Sequence, residues 1–218
     1  MIPTAFLQAW SVTAPWPDLR QVEQDLLISR ALCDLFNSPA LNDKIAFRGG
    51  TAIHKLLFKQ PLRYSEDIDL VQVKAEPIGA TVDAIREALS WLGRCQREQA
   101  GHSMHLVFKF TPEVDAQATL KLKVEINTRE HTNLLGIKRY PFALENDWHR
   151  GKTEIASFEP KSSLLAKGVP SDNPAACSRT CLARVCMANL LNGRNIINLL
   201  TFWQLHAKQC WCDSCCQG

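Results

Sequence analysis

The chain has 218 residues, 46% apolar and 22% charged, with a formal net charge of +3. That length allows one domain with a real core, and the mild charge permits contact with a nucleotide or nucleic acid without arguing for either. No apolar run approaches the ~18–20 residues of a membrane span, and Met1-Ile2-Pro3-Thr4 lacks the basic-then-apolar pattern of a signal peptide, so a cytoplasmic protein without membrane contact is expected.

In chain order, residues 1–17 carry Trp10, Trp16 and three prolines, which predicts an ordered arm with a short helix over 5–10. Asp18 can cap the next helix. Val22, Leu26, Ser29, Ala31, Leu32, Leu35 and Phe36 recur at three and four, giving a helix over 19–37. Asn37-Ser38-Pro39 ends it. Residues 44–47 read as a short strand, Gly49-Gly50 as a turn and 51–58 as a helix. His54 reads as a surface residue or one behind the site, and Lys55 as solvated.

Residues 67–73 are the second predicted strand. Glu76-Pro77 opens a helix that ends near Gly93. Met104, Leu106, Phe108 and Phe110 alternate with His105, Val107 and Lys109, which predicts a strand. The clearest alternation follows: Leu120, Leu122, Val124 and Ile126 on one face, Lys121, Lys123, Glu125 and Asn127 on the other. Residues 128–150 read as loop with a short strand or helix, and 153–158 as a last strand.

The chemistry concentrates in Phe47-Arg48-Gly49-Gly50-Thr51 and in Arg63-Tyr64-Ser65-Glu66-Asp67-Ile68-Asp69-Leu70. A strand repeats every two residues, so Asp67 and Asp69 share a face while Glu66 points away. Carboxylates this close repel, and a cation between them removes the penalty. If the two acid-bearing strands are neighbours in one sheet, Glu125 joins the pair. Three carboxylates around two divalent ions suit in-line nucleotidyl transfer: one ion activates the attacking hydroxyl, the other steadies the pyrophosphate. Hard oxygen ligands favour Mg²⁺, or Mn²⁺ in its place. The Gly49-Gly50-Thr51 turn offers N–H groups and a hydroxyl to a triphosphate. Arg63, Ser65 and Lys123 complete the expected phosphate-binding set.

The order glycine turn, Asp-x-Asp strand and distant carboxylate strand, together with Gln21-Val22-Glu23-Gln24-Asp25-Leu26 and Lys123-Val124-Glu125-Ile126-Asn127, resembles the AbiEii/AbiGii-type nucleotidyltransferase toxins of the DNA polymerase β-like superfamily. The resemblance runs from about residue 1 to 160. It implies an α/β (α+β) core, a small mixed sheet flanked by helices. It also implies a toxin of a type IV toxin–antitoxin or abortive phage-infection pair, encoded beside an antitoxin, that transfers NMP from an NTP to tRNA or protein.

Beyond residue 160 the resemblance breaks. Family members continue into a helix of Glu-Leu-Leu-Ala-Thr-Lys type, whose lysine serves the active site. Here Lys161-Ser162-Ser163-Leu164-Leu165-Ala166-Lys167 stands in its place, and seven of the nine cysteines crowd into the last 42 residues. The chain therefore divides into a nucleotidyltransferase domain, 1–160, and an atypical Cys-rich tail, 161–218, expected to be irregular or helical. One reading puts the tail out of frame: a permitted codon choice for 161–167, read two bases later, encodes Glu-Leu-Leu-Ala-Ser-Lys. A zinc module on Cys210, Cys212, Cys215 and Cys216 with Cys177 and Cys181 has only loose ligand spacing. A chain without the family's lysine could also be an inactive remnant that binds nucleotide or antitoxin only.

Overall fold

The computed structural model describes residues 2–58, 64–129 and 136–158. Arg63, the boundary expected at 160 and the whole tail, with its out-of-frame, zinc and helical readings, lie outside the described residues. Among the described residues no helix is long and apolar enough to cross a membrane.

The elements follow the periodicities. Helix α1 spans Thr4–Trp10 and α2 spans Leu19–Asn37. Asp18 caps α2 by accepting the Arg20 N–H at 2.9 Å, which satisfies one of the orphan donors of a helix start. Then come β1 (Ile45–Arg48), α3 (Gly49–Leu57), β2 (Asp67–Gln72) and α4 (Gly79–Ala88), with a 3₁₀ turn at Ser90–Leu92. Four further strands are β3 (Cys95–Ala100), β4 (Ser103–Phe110), β5 (Leu120–Asn127) and β6 (Ile137–Glu145), and β7 (Arg150–Phe158) completes the series.

The strands form one seven-stranded mixed sheet in the order β3-β4-β5-β2-β1-β7-β6. β1 runs antiparallel to β2, β2 parallel to β5, and β1 parallel to β7. The expected mixed sheet flanked by helices is present. It is larger than the alternation signalled, because β3 and β6, at its two edges, extend it.

One sheet face is the core. Phe47, Ile68, Leu70, Leu106, Phe108, Leu122, Val124 and Ile126 are all fully buried. They cluster with Val22, Leu26, Leu32 and Leu35 of α2 and with Val82 and Ile85 of α4. Each large aliphatic side chain removed from water contributes on the order of 1.5–3 kcal/mol. Because strand side chains alternate, this packing fixes which residues face the other way. Trp10 belongs to the core and Trp16 and Trp91 pack partly against it.

Candidate active site

The parallel pairing of β2 with β5 sets the site. Its register places Asp67 opposite Lys123 and Asp69 opposite Glu125. The antiparallel neighbours add Arg48 opposite Asp69 and His105 opposite Glu125. Asp67, Asp69 and Glu125 thus share one face, two carboxylates on one strand and one on the next. Lys123 reaches across: its Nζ lies 3.1 Å from Asp67 Oδ2 and 3.4 Å from Glu125 Oε2. His105 Nε2 stands 3.3 Å from the same Glu125 oxygen.

The glycine turn closes on this face. Gly49 has φ +83°, in the left-handed region, where a Cβ is disfavoured. A Cβ built there would stand 2.0 Å from Asp69 Oδ2, so the turn touches a carboxylate only because position 49 has no side chain. Gly49, Gly50 and Thr51 form the first turn of α3, where backbone N–H groups have no intrahelical acceptor.

Thr51 is buried, and its hydroxyl donates to the Asp67 carbonyl at 2.7 Å. Its single proton is thereby used, so the Ser65 hydroxyl, 2.5 Å away, donates to Thr51. The two hydroxyls tie the start of β2 to α3. What Thr51 can offer an anion is its backbone N–H.

The face carries excess negative charge. Burial raises the Asp69 pKa above its ordinary value; Glu125 and Asp67 push it further, while Arg48 and Lys123 pull it back. Lys123 is held above its usual range by its contacts with Asp67 and Glu125, which outweigh the desolvation that acts against its charge. Among the described residues no three His, Cys, Asp or Glu side chains already surround one point as metal ligands do. The Lys123 ammonium stands between Asp67 and Glu125. The donor set nevertheless fits a divalent ion: hard oxygens, crowded like charges, and a carboxyl whose ionisation a cation would favour.

The site is held from behind by α2. Gln24, buried, donates its amide to the carbonyls of Glu66 at 3.2 Å and Lys121 at 2.9 Å, which clamps the entrance to β2 against the start of β5. Lys55 is not solvated as its helix position suggested. Its side chain is largely enclosed, and its Nζ donates to Asp25 Oδ1 at 2.7 Å and Ser29 Oγ at 3.0 Å. Trp10 Nε1 donates to the same Asp25 oxygen at 2.9 Å. This buried group joins α1, α2 and α3, and so anchors the helix whose first turn meets Asp69. His54 sits beside Trp16, ring centroids 5.8 Å apart.

Of the residues expected at the site, Asp67, Asp69, Glu125 and Lys123 share one face with Gly49 against it. Thr51 and Ser65 face each other beneath the turn. Arg48 and His105 escaped sequence reasoning. Arg48 lay in the quoted motif and His105 on the polar side of its strand, but only register makes them neighbours of Asp69 and Glu125.

Known proteins add an independent view. The family model described as nucleotidyl transferase AbiEii toxin, type IV TA system, matches residues 30–167, more than half the chain. No curated protein matches. Among solved structures, MenT4, a nucleotidyltransferase toxin from Mycobacterium tuberculosis, aligns with TM-score 0.51 and 14% identity over 77% of this chain and 59% of its own. JHP933 from Helicobacter pylori aligns with TM-score 0.46 and 14% identity over 68% and 56%. An antigenic nucleotidyltransferase-like protein from Paracoccidioides brasiliensis aligns with TM-score 0.48 and 20% identity over 77% of each chain. The chain spans little more than half the length of the Helicobacter and Mycobacterium proteins. At these identities the likeness to MenT4 concerns the fold.

Proposed function

This chain belongs to the AbiEii family of nucleotidyltransferase toxins of type IV toxin–antitoxin systems, and we propose that it transfers NMP from an NTP to tRNA or protein and releases pyrophosphate. A cognate antitoxin is its proposed regulator, cytoplasmic phage defence by abortive infection its proposed setting. The observation that carries the reading is the β2–β5 register, which sets Asp69 beside Glu125 and Asp67 beside Lys123 on the face met by Gly49.

In the proposed reaction an acceptor hydroxyl attacks the α-phosphorus, a new O–P bond forms and the bond to the β-phosphate bridging oxygen breaks. Asp67, Asp69 and Glu125 would hold Mg²⁺ or Mn²⁺. Such ions, when bound, lower the pKa of an attacking hydroxyl and offset charge on the leaving group. The N–H groups of Gly49, Gly50 and Thr51 would bind phosphate oxygens, as a helix start does. Lys123 and Arg63 would neutralise phosphate charge. Glu125 would take the acceptor's proton, and His105, 3.3 Å from its carboxylate, would orient it.

The test is incubation of the full chain with each radiolabelled NTP, Mg²⁺ or Mn²⁺, and bulk tRNA or cell protein. Label should move to one acceptor class, and both EDTA and the double variant Asp67→Ala/Asp69→Ala should abolish transfer. Transfer unaffected by the double variant would defeat the site assignment. A second reading, an inactive remnant, is favoured by the lack of the family's Glu-Leu-Leu-Ala-Thr-Lys segment after residue 160. NTP binding by calorimetry with no transfer to any acceptor would select it.

A further inference from the structure

Lys123 holds a position that a divalent ion would need. Its ammonium touches Asp67 Oδ2 at 3.1 Å and Glu125 Oε2 at 3.4 Å. Its backbone is fixed opposite Asp67 and two residues before Glu125 by the sheet register. A magnesium ion binds oxygen at about 2.0–2.1 Å in octahedral geometry and keeps several waters. An ammonium and a hydrated ion cannot both stand between the same two carboxylates.

The side chain also has somewhere to go. The Lys123 side chain is 33% exposed and that of its anchor Asp67 42%. The pair therefore lies at the mouth of the site, where a lysine stem can rotate at little cost. A triphosphate bound against the first turn of α3 would give the displaced ammonium a new anionic partner.

We propose that Lys123 is a built-in competitor of the metal, lying between Asp67 and Glu125 until nucleotide arrives and then moving to the phosphates, so that metal and NTP load together. This rests on the reading of Asp67, Asp69 and Glu125 as metal-binding carboxylates. Without nucleotide, an entering ion must displace the ammonium from the carboxylates that hold it. With nucleotide, the ammonium is exchanged from carboxylate to phosphate and the ion enters unopposed. By linkage, the factor by which nucleotide strengthens metal binding equals the factor by which metal strengthens nucleotide binding. Removing the ammonium removes the part of that coupling it creates.

The experiment measures Mn²⁺ binding to the full chain by electron paramagnetic resonance, with and without α,β-methylene NTP analogues. Lys123→Met and Lys123→Gln, each checked for folding by circular dichroism, are compared with wild type. Both variants should bind Mn²⁺ about tenfold more tightly than wild type without nucleotide, which is about 1.4 kcal/mol, and the gain on adding the analogue should shrink. Mn²⁺ that binds variants and wild type equally, or binds the variants more weakly, overturns this proposal alone. Mn²⁺ that binds none of them even with the analogue, or that binds Lys123→Met/Asp69→Asn as well as Lys123→Met, overturns the metal reading beneath it as well.

Discussion

Lys55 and Lys123 each meet carboxylates, and their surroundings are opposite in kind. Lys55 is enclosed: its side chain is 10% exposed and that of Asp25 4%. One ammonium faces one carboxylate, and Ser29 and Trp10 fill further hydrogen-bonding positions. Lys123 lies at the surface and is shared between Asp67 and Glu125, with Asp69 adding a third negative charge to the face. A balanced, closed ion pair holds elements together. An unbalanced, open one leaves charge for a ligand to complete.

The largest effect that would test this contrast is the loss of Lys55. Lys55→Met leaves Asp25 buried and short of its cation, which should cost about 3–5 kcal/mol of unfolding free energy, measured by urea denaturation. A variant as stable as wild type would mean the two ion pairs do not differ in kind.

Asp69→Asn should act in the other direction. Burial and the like charges of Glu125 and Asp67 hold the Asp69 pKa above its ordinary 3.8 in the folded state, so the native protein keeps that proton to higher pH than the unfolded chain. Wild-type stability therefore falls as pH rises through that window. In buffer with chelator, Asp69→Asn should melt above wild type at neutral pH, and the gap should close as pH falls through the raised pKa towards 3.8. A variant less stable than wild type at neutral pH would show that Asp69 is structural.

The smallest effect belongs to Lys123. Its contacts are a third exposed, and such pairs contribute at most about 1 kcal/mol after solvent screening. Lys123→Met should move the urea midpoint little, and a loss approaching that of Lys55→Met would erase the distinction.

Much of this was legible in the sequence because it depends on period. Asp67, Asp69, Lys123 and Glu125 alternate with residues that are fully buried, so their common face follows from the strand repeat alone. The glycine turn was legible for a similar local reason. The edge strands were not. β3, Cys95–Ala100, is exposed along almost its whole length, and β6 is mostly exposed and contains Pro141. β3 shows no apolar alternation, whereas in β6 Tyr140, Phe142 and Leu144 do alternate, but only Leu144 is buried and Pro141, a residue tolerated at a sheet edge, reads in a sequence as a loop signal. Lys55 was misread because a lone lysine on a short helix carries no sign of the carboxylate that meets it 30 residues away. Arg48 and His105 became neighbours of the site only through pairing register, which no single strand encodes.

That register also has a consequence for the order in which the protein is made. β5 lies in the sheet between β4 and β2, yet it is synthesised after both. A nascent chain that has left the ribosome as far as β4 carries Asp67 and Asp69 beside an open strand edge, with neither Glu125 nor Lys123. The face is completed only when β5 enters that gap, so a ribosome partway through the message carries no assembled carboxylate face.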